Sequence, residues 1–395
     1  MLAGRADRCT RGSPERPLRV GLNLVFLGER SGGAGRYATE LPGALLAAEP
    51  DTEVHVFVSR DSPAGLRGQQ WAEGVRWVTL PVGLGSAMHV LAQFTALPPL
   101  ARARGLDVLH SPANTGPVIA PGVASVVSLL DLIWLHRAAE WEPSRLVQRR
   151  MAVLVRHCVR HADRIFAISH AAAADIAETL GVVRERIDVT PLGVRSPPAT
   201  PSRQDREQLL TRLDLRARRV LLCVAQKRPY KNIQSLVRAL PELEQDVVLV
   251  VPGAPTEHER ELQALAQQLS VERRTRFPHW LDDAELDALY ALSNVFVLPS
   301  LIEGFGIPLL EAMARGVPVA CSNVSALPEV AGGAALLFDP HDQQQITAAV
   351  RRLLDDSRLA EQLVAAGLQR AAEFSWQRTG AASLAGYRRA IARRR

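Results

Sequence analysis

Short apolar runs alternate with longer amphipathic stretches along most of the chain. The runs include Val54–Ser59, Val75–Leu80 and Val295–Leu298, and such continuous runs are typical of strands that are buried on both faces. The stretches between them repeat apolar residues with the period of a helix. Because strand and helix alternate, the pattern predicts an α/β fold with parallel sheets and helices on both faces.

One segment interrupts this alternation, residues 195–204 with the sequence RSPPATPSRQ. Its Pro and Ser content is typical of a linker, so we predict two domains, residues 18–195 and 205–374. A chain of 395 residues is long enough for two cores. Residues 1–17 are polar and basic without an apolar segment, which predicts a disordered tail and not a secretion signal. Residues 375–395 have the pattern of a basic amphipathic helix.

The charge balance narrows the class of partner. The formal net charge is +6, which suits an anionic substrate or an anionic membrane surface. No strip of interleaved aromatic and basic residues is present, so we expect no nucleic-acid partner. Of the 47 Lys plus Arg residues, only Lys227 and Lys231 are lysines. Both occur in one loop, Gln226–Asn232, which follows a predicted strand.

The most informative stretch runs from Pro299 to Gly316, with the sequence PSLIEGFGIPLLEAMARG. It follows a predicted strand, and Pro308 suits the first position of a helix. The intervening loop therefore lies at the carboxyl end of a strand, where open α/β sheets bind ligands. The backbone N–H groups of Phe305, Gly306 and Ile307 would lie at a helix N-terminus, which favours an anion such as a diphosphate.

Two carboxylates flank this predicted anion site. Glu303 is on the loop and Glu311 is predicted in the first helical turn. A carboxylate beside a phosphate is suited to accept hydrogen bonds from the hydroxyls of a sugar ring or a ribose. The alternative is that Glu311 only stabilises the helix dipole and that Glu303 is a solvated loop acid.

The sequence E-G-F-G-I-P-L-L-E, followed by A-M-A-R-G-V-P-V-A, resembles the E-x7-E region of the retaining, nucleotide-sugar-dependent glycosyltransferases of family 4. The resemblance covers roughly the whole chain beyond residue 17. It implies the GT-B fold, in which two Rossmann-like parallel-sheet domains face a deep cleft and the last helix packs back on the first domain. It also implies that Glu303 contacts the donor sugar, that Glu311 holds the ribose, and that the amides between them hold sugar and phosphate.

Two further loops resemble donor-binding parts of that family. Arg228 and Lys231 match its phosphate-binding pair, with Lys227 as an alternative to Arg228. Gly33, in the glycine-rich segment 28–36, matches a loop that reaches across the cleft to the donor phosphates and the acceptor. The same segment loosely fits a dinucleotide fingerprint, but it lies several residues past its strand and lacks the expected acid. An NADP-dependent reductase is therefore a minor alternative.

His110 and Asp131 each stand near the end of a predicted strand and are expected to line the cleft as catalytic residues on the acceptor side. The family often has a His-Asp pair where this chain has Leu130-Asp131. The missing histidine leaves open a non-catalytic nucleotide-sugar-binding homologue. The alternative for His110 is a structural role. Trp280 either lines the pocket of the nucleotide base or packs in the core.

No Asp-x-Asp pair occurs, so we expect neither a metal nor a cofactor, and cationic side chains must neutralise the leaving diphosphate. The expected reaction is metal-independent, retaining transfer of a mannosyl- or glucosyl-like hexosyl group. Its donor would be a GDP- or UDP-sugar. Its acceptor would be a hydroxyl of a glycan, a lipid-linked sugar or a natural-product glycoside.

No apolar run approaches the ~18–20 residues of a membrane span. The protein is expected in the cytoplasm, and basic residues near Arg102–Arg104 and on the last helix allow peripheral contact with the inner membrane surface.

Overall fold

The computed structural model describes residues 16–28, 32–83, 87–117, 121–141, 144–195 and 203–394. Most of the predicted tail and most of the predicted linker lie outside these ranges. Within them the strands form two sheets, both entirely parallel. The predicted architecture of two parallel α/β sheets is confirmed.

The first sheet has seven described strands in the order β3-β2-β1-β4-β5-β6-β7. They are β1 (Arg19–Asn23), β2 (Glu53–Ser59), β3 (Val75–Leu80), β4 (Val108–Ser111), β5 (Ala124–Leu129), β6 (Arg164–Ala167) and β7 (Ile187–Val189). Nearly all residues of these strands are buried, except in the edge strand β3, where only Val78 and Leu80 are. Burial on both faces explains why the strands appear in the sequence as continuous apolar runs.

The second sheet has six described strands in the order β10-β9-β8-β11-β12-β13. They are β8 (Arg219–Leu222), β9 (Val247–Val250), β10 (Thr275–Arg276), β11 (Val295–Leu298), β12 (Val319–Ser322) and β13 (Leu336–Phe338). The strand order reverses between β1 and β4 in the first sheet and between β8 and β11 in the second. Such reversal points are where open parallel sheets bind ligands.

Helices cover both sheets. Those of the first part of the chain are α1 (Gly32–Ala48), α2 (Ala87–Thr95), α3 (Leu97–Ala103), α4 (Ile133–His136), α5 (Ala138–Trp141), α6 (Arg145–His161) and α7 (His170–Leu180). Those of the second part are α8 (Arg203–Arg212), α9 (Ile233–Ala239), α10 (Glu257–Gln268), α11 (Asp283–Ala291), α12 (Ile307–Ala314), α13 (Leu327–Ala331), α14 (Gln343–Asp355), α15 (Ser357–Ala372) and α16 (Trp376–Arg394). None of the helices in the described ranges combines the length and apolar character needed to cross a bilayer.

The sequence predicts both ends of α7, with Ser169 as its cap and Gly181 at its close, and the structure confirms them. Ser169 caps α7 by accepting a hydrogen bond from the Ala172 N–H at 2.9 Å, and Gly181 ends that helix in the left-handed region at φ 65°. The amphipathic pattern of Ala87–Arg104 predicts a single helix, and this prediction is wrong because the segment forms two helices, α2 and α3. Pro98, which lacks an N–H, lies in the first turn of the second of them, α3, where that donor is not needed. The short helices α4 and α5 were not predicted.

The last helix, α16, packs across the first sheet and α1. Its Gly380 lies so close to α1 that an added Cβ would be 2.0 Å from the carbonyl oxygen of Ala44, so only glycine fits there. Farther along, the fully buried Tyr387 brings its hydroxyl to 2.7 Å from Nδ1 of His110 on β4. The end of the chain therefore completes the core of the first domain.

Candidate active site

The site lies where β8 and β11 run side by side. The register pairs Val295 with Leu221 and Phe296 with Leu222, so both strands end at the same edge of the sheet. The loops that follow them carry Lys231 and Glu303, which are 72 residues apart in sequence. The strand adjacency brings these two predicted donor-binding residues into direct contact.

Lys231 and Glu303 form a closely paired cation and carboxylate. The distance from Lys231 Nζ to Glu303 Oε1 is 2.5 Å, and Ser300 Oγ donates to the same oxygen at 2.8 Å. Burial by itself would lower the pKa of Lys231, but the Glu303 carboxylate together with Tyr230 and Asp131 outweighs burial, and the pKa is raised. Lys231 is therefore an ammonium group, and it fixes the orientation of the Glu303 carboxylate.

The glycine loop presents its backbone beside this pair. Gly306 has φ 98°, a conformation that favours glycine, and it caps the N-terminus of α12. Within the described part of the chain, the N–H groups of Phe305 and Gly306 donate to no backbone or side-chain acceptor. The Phe305 side chain is buried and packs edge-on against Phe374, with ring centroids 5.7 Å apart. The Phe305 backbone is therefore the part of that residue that can face a ligand, while Ile307 is the first helical residue.

Glu311 lies farther from the start of its helix than the sequence suggested. The first turn of α12 contains no acid, because the helix begins at Ile307. The prediction that Glu311 lies in the first helical turn is therefore wrong, and so is the alternative in which it only stabilises the helix dipole. The carboxylate is buried, accepts a hydrogen bond from Tyr290 OH at 3.0 Å, and forms an ion pair with Arg36 of α1. Both of its oxygens are thus paired, one of them with a residue of the first domain.

The two basic neighbours of Lys231 have different environments. Lys227 is fully buried, and its Nζ donates to the Gly253 carbonyl at 2.8 Å with Glu259 at 3.4 Å. The alternative in which Lys227 binds phosphate is therefore wrong, since a buried and paired ammonium cannot reach the cleft. Arg228 lies at the domain interface and donates to the Glu140 carbonyl of α5 at 2.5 Å.

The carboxyl edges of the two sheets face each other across the loop of Glu303. An added Cβ on Gly304 would be 2.8 Å from Asp131 Cβ, and Ser169 Oγ donates to the Gly304 carbonyl at 2.8 Å. Asp131 follows β5 and Ser169 follows β6, so the glycine loop contacts the first domain by its backbone. The Glu329 carboxylate also accepts the N–H groups of His170 and Ala171 at the start of α7.

Comparisons with known families agree with this geometry. The family model described as Glycosyl transferases group 1 matches residues 206–370, and the model described as Glycosyl transferase 4-like domain matches residues 32–193. The chain belongs to the group 1 glycosyltransferases. The predicted family and its transferase activity are confirmed, and the NADP-dependent reductase alternative is wrong.

Two curated relatives of this glycosyltransferase show the extent of the similarity. The chain is 29% identical to O-antigen chain mannosyltransferase B of Escherichia coli over 87% of this chain and 93% of the relative. It is 35% identical to the MMP alpha-(1->4)-mannosyltransferase of Mycolicibacterium hassiacum over 65% of this chain and 62% of the relative.

Solved structures of low identity share the fold. Sucrose-phosphate synthase from Thermosynechococcus elongatus aligns with a TM-score of 0.76 at 21% identity, covering 95% of this chain and 99% of the other. Anabaena HepE, solved in complex with UDP-glucose, aligns with a TM-score of 0.72 at 17% identity, covering 93% of this chain and 99% of the other. The predicted GT-B fold is confirmed.

Asp131 of the glycosyltransferase lines the cleft as predicted, in a cavity it shares with Glu303 and Gly304. One of its oxygens accepts the Ile133 N–H at 3.1 Å. Burial raises the pKa of Asp131 to about 6, with the Ile133 hydrogen bond opposing the shift and the Glu303 charge adding to it. The carboxyl group is thus poised to exchange a proton near neutral pH.

The prediction that His110 lines the cleft is wrong. The residue lies inside β4 and is fully buried. Its Nε2 is 2.7 Å from Ser128 Oγ, its Nδ1 is 2.7 Å from Tyr387 OH, and burial lowers the pKa of His110 to about 3. A neutral ring with both nitrogens paired anchors α16 and has no access to substrate.

The remaining predicted residues lie at the edge of the site. Gly33 is exposed in the first turn of α1, and the neighbouring Gly32 approaches the Gln226 side chain of the second domain. The segment predicted as a loop through residue 36 is therefore helical from Gly32 onward, while residues 29–31 lie outside the described ranges. Trp280 is 55% exposed, so the alternative in which it packs in the core is wrong.

Three functional neighbours were missed from the sequence: Arg36, Tyr290 and Ser300. Ser300 precedes Glu303 by three residues in the same loop, so its position was an available signal. Arg36 and Tyr290 reach Glu311 from different helices, and no local pattern marks such long-range partners.

We expect Asp131→Asn to become more stable than the wild type as pH rises. The native carboxyl group binds its proton more tightly than the unfolded one, so the wild type loses stability between about pH 4 and pH 6, its unfolded and folded pKa values. Asn removes this loss, by about 1–2 kcal/mol after allowance for partial exposure. Urea unfolding from pH 4.5 to 7.5 measures the difference. The exposed Asp51→Asn is the control, and parallel pH curves for Asp131→Asn and wild type would contradict the assignment.

Proposed function

We propose that this glycosyltransferase moves a hexosyl group from a nucleotide-diphosphate sugar to an acceptor hydroxyl, with retention and without a metal. The observation that carries the proposal is the contact of Lys231 with Glu303 beside the unpaired amides of Phe305 and Gly306. An ammonium group and two N–H donors suit a diphosphate, and an oriented carboxylate suits the hydroxyls of the attached sugar.

Each predicted donor-binding group has a proposed role. Lys231 and the Phe305–Ile307 amides neutralise the leaving diphosphate, with Arg228 and the start of α1 at Gly33 closing over it. Glu303 orients the sugar. Glu311 accepts the ribose hydroxyls, for which Arg36 must first move away. Asp131 faces the acceptor, and no protein nucleophile is invoked, because the diphosphate departs and the acceptor arrives on one face of the sugar.

The relatives support a hexosyl group and a nucleotide-sugar donor. The two mannosyltransferases are named for their hexosyl transfer, and HepE binds UDP-glucose.

We expect one nucleoside diphosphate to stabilise the protein. UDP, GDP, dTDP and NADP are compared by thermal unfolding, each with and without EDTA. A ligand at 100 times its dissociation constant should add ~2.7 kcal/mol to the free energy of unfolding. A single responding diphosphate that is indifferent to EDTA supports the proposal and identifies the base. A response that EDTA abolishes contradicts metal independence, and a response to NADP alone, or to nothing, contradicts the donor class.

Two glutamate variants should lose different functions. Glu303→Gln should lose donor turnover and keep nucleotide affinity, because its proposed contact with the donor is to the sugar and not to the nucleotide. Glu311→Gln should weaken nucleotide binding by about 5- to 150-fold, the equivalent of ~1–3 kcal/mol for hydrogen bonds to a charged group. Isothermal titration and hydrolysis of the donor measure the two effects. Full turnover by Glu303→Gln, or equal binding of ribo- and 2′-deoxynucleotide by the wild type, would be inconsistent with these roles.

We propose that peripheral membrane contact is made by α6 and not by the predicted basic segments. Arginines of α16 are engaged in ion pairs, Arg388 with Glu49 and Arg389 with Asp188. Helix α6 carries five arginines and no acid. Its residues Leu146 and Val153 are 58% and 66% exposed and, being seven positions apart, share one face. Exposed aliphatic side chains among arginines suit an anionic lipid surface.

The double variant Leu146→Ser, Val153→Ser should sediment less with vesicles of phosphatidylglycerol and phosphatidylcholine than the wild type. The loss of two apolar contacts should lower the bound fraction at constant charge, and high salt should lower it further. The matched control is Leu368→Ser on α15, which removes an exposed apolar side chain from the second domain. Equal sedimentation of the three proteins with these vesicles would contradict membrane contact through α6. Failure of the wild type to sediment with them would contradict it as well.

A further inference from the structure

A cavity between the domains contains polar groups to which the proposed donor chemistry gives no role. The second domain lines it with Glu303, Gly304 and Ser325, and the first domain lines it with Asp131, His136 and Asp175, among other residues. Its volume of about 170 Å³ is below the ~300–1,000 Å³ of pockets that take larger ligands. That is the scale of one sugar ring and not of a nucleotide.

His136 and Asp175 form an anchored pair on the first-domain wall. His136 Nε2 lies 2.8 and 3.0 Å from the two oxygens of Asp175, and Thr179 Oγ1 donates to Asp175 at 2.9 Å. Because a carboxylate only accepts hydrogen bonds, Nε2 must carry the hydrogen. In the neutral ring Nδ1 is then an acceptor. Among the described residues Nδ1 has no hydrogen-bond partner, and the side chain is 36% exposed.

The charges around the cavity select the ligand class. Three carboxylates line it, those of Asp131, Asp175 and Glu303. An anionic group there would meet like charges, whereas hydroxyl groups can donate to each of these acceptors. The cavity therefore suits a neutral polyhydroxylated ring and disfavours a phosphorylated or carboxylated one.

We propose that this cavity is the acceptor subsite and that His136, held by Asp175, binds a hydroxyl of a neutral sugar acceptor through Nδ1. The inference rests on the proposed function, because Glu303 on the opposite wall orients the donor sugar. Asp175 acts as a positioning residue that fixes the tautomer and the direction of the ring. The Leu130-Asp131 segment places Asp131 in the same cavity, so the acceptor would lie between Asp131 and His136.

Saturation-transfer NMR tests the subsite with methyl α-D-mannopyranoside and mannose 6-phosphate as probes. The full-length protein is saturated with the nucleoside diphosphate that stabilises it. The wild type should show contact with the neutral glycoside and weaker contact with the phosphate. His136→Ala should weaken glycoside binding by about 2- to 10-fold, as expected for one lost hydrogen bond. Asp175→Asn should weaken it less, because the ring remains but loses its fixed orientation.

The exposed His341→Ala serves as the matched control and should bind the glycoside like the wild type. Thermal unfolding with the nucleotide separates the two hypotheses, since every variant should keep the nucleotide-induced stabilisation. If His136→Ala binds the glycoside normally, if the wild type shows no glycoside contact, or if the phosphate binds equally well, the acceptor subsite is wrong while the donor assignment stands. If no nucleotide stabilises the wild type, the proposed function itself is wrong.

Discussion

The adjacency of β8 and β11 is the constraint on which the candidate site depends. Each strand ends in a loop that carries one half of an ion pair, and the parallel register brings Lys231 to 2.5 Å from Glu303. Neither residue alone would define a site, because a lone lysine and a lone glutamate usually remain solvated. Their pairing at a reversal of strand order creates a fixed carboxylate next to an ammonium group and unpaired backbone donors. The rest of the second domain holds these two loops in place.

The first domain contributes to the site through its contacts with the second domain as well as through side chains that face the cleft. Gly304 packs against Asp131, Ser169 binds the Gly304 carbonyl, and Glu329 caps α7 across the interface. Arg36 forms an ion pair with the Glu311 carboxylate, to which the ribose hydroxyls are proposed to donate hydrogen bonds. A nucleotide carries replacements for both partners, because its ribose hydroxyls can serve Glu311 and its phosphates can serve Arg36. Donor binding would thereby exchange one set of polar contacts for another without leaving a buried charge unpaired.

The fold and the loops of the site could be predicted from the sequence. The side chains that contact each site residue could not. Apolar runs and caps such as Ser169 and Gly181 are local signals, so the strands and many helix ends were predictable. Glu303 and Lys231 were found because each follows a predicted strand and matches a donor-binding motif of the resembled family. His110 was misplaced because a strand residue one position before the carboxyl end resembles a loop residue in sequence, and its partner Tyr387 is 277 residues away. Lys227 was ambiguous for the same reason, since only the fold shows that Glu259 and Gly253 enclose it.

The contact between α16 and β4 also has a consequence for biosynthesis. A ribosome makes the chain from its N-terminus, and domains usually fold in the order in which they emerge. Here the core of the first domain includes Tyr387, whose hydroxyl satisfies the buried His110 ring, and the close approach of Gly380 to Ala44. Tyr387 and Gly380 are both synthesised after the whole of the second domain. The first domain must therefore wait, with its α16 groove exposed, until the second domain has already left the ribosome.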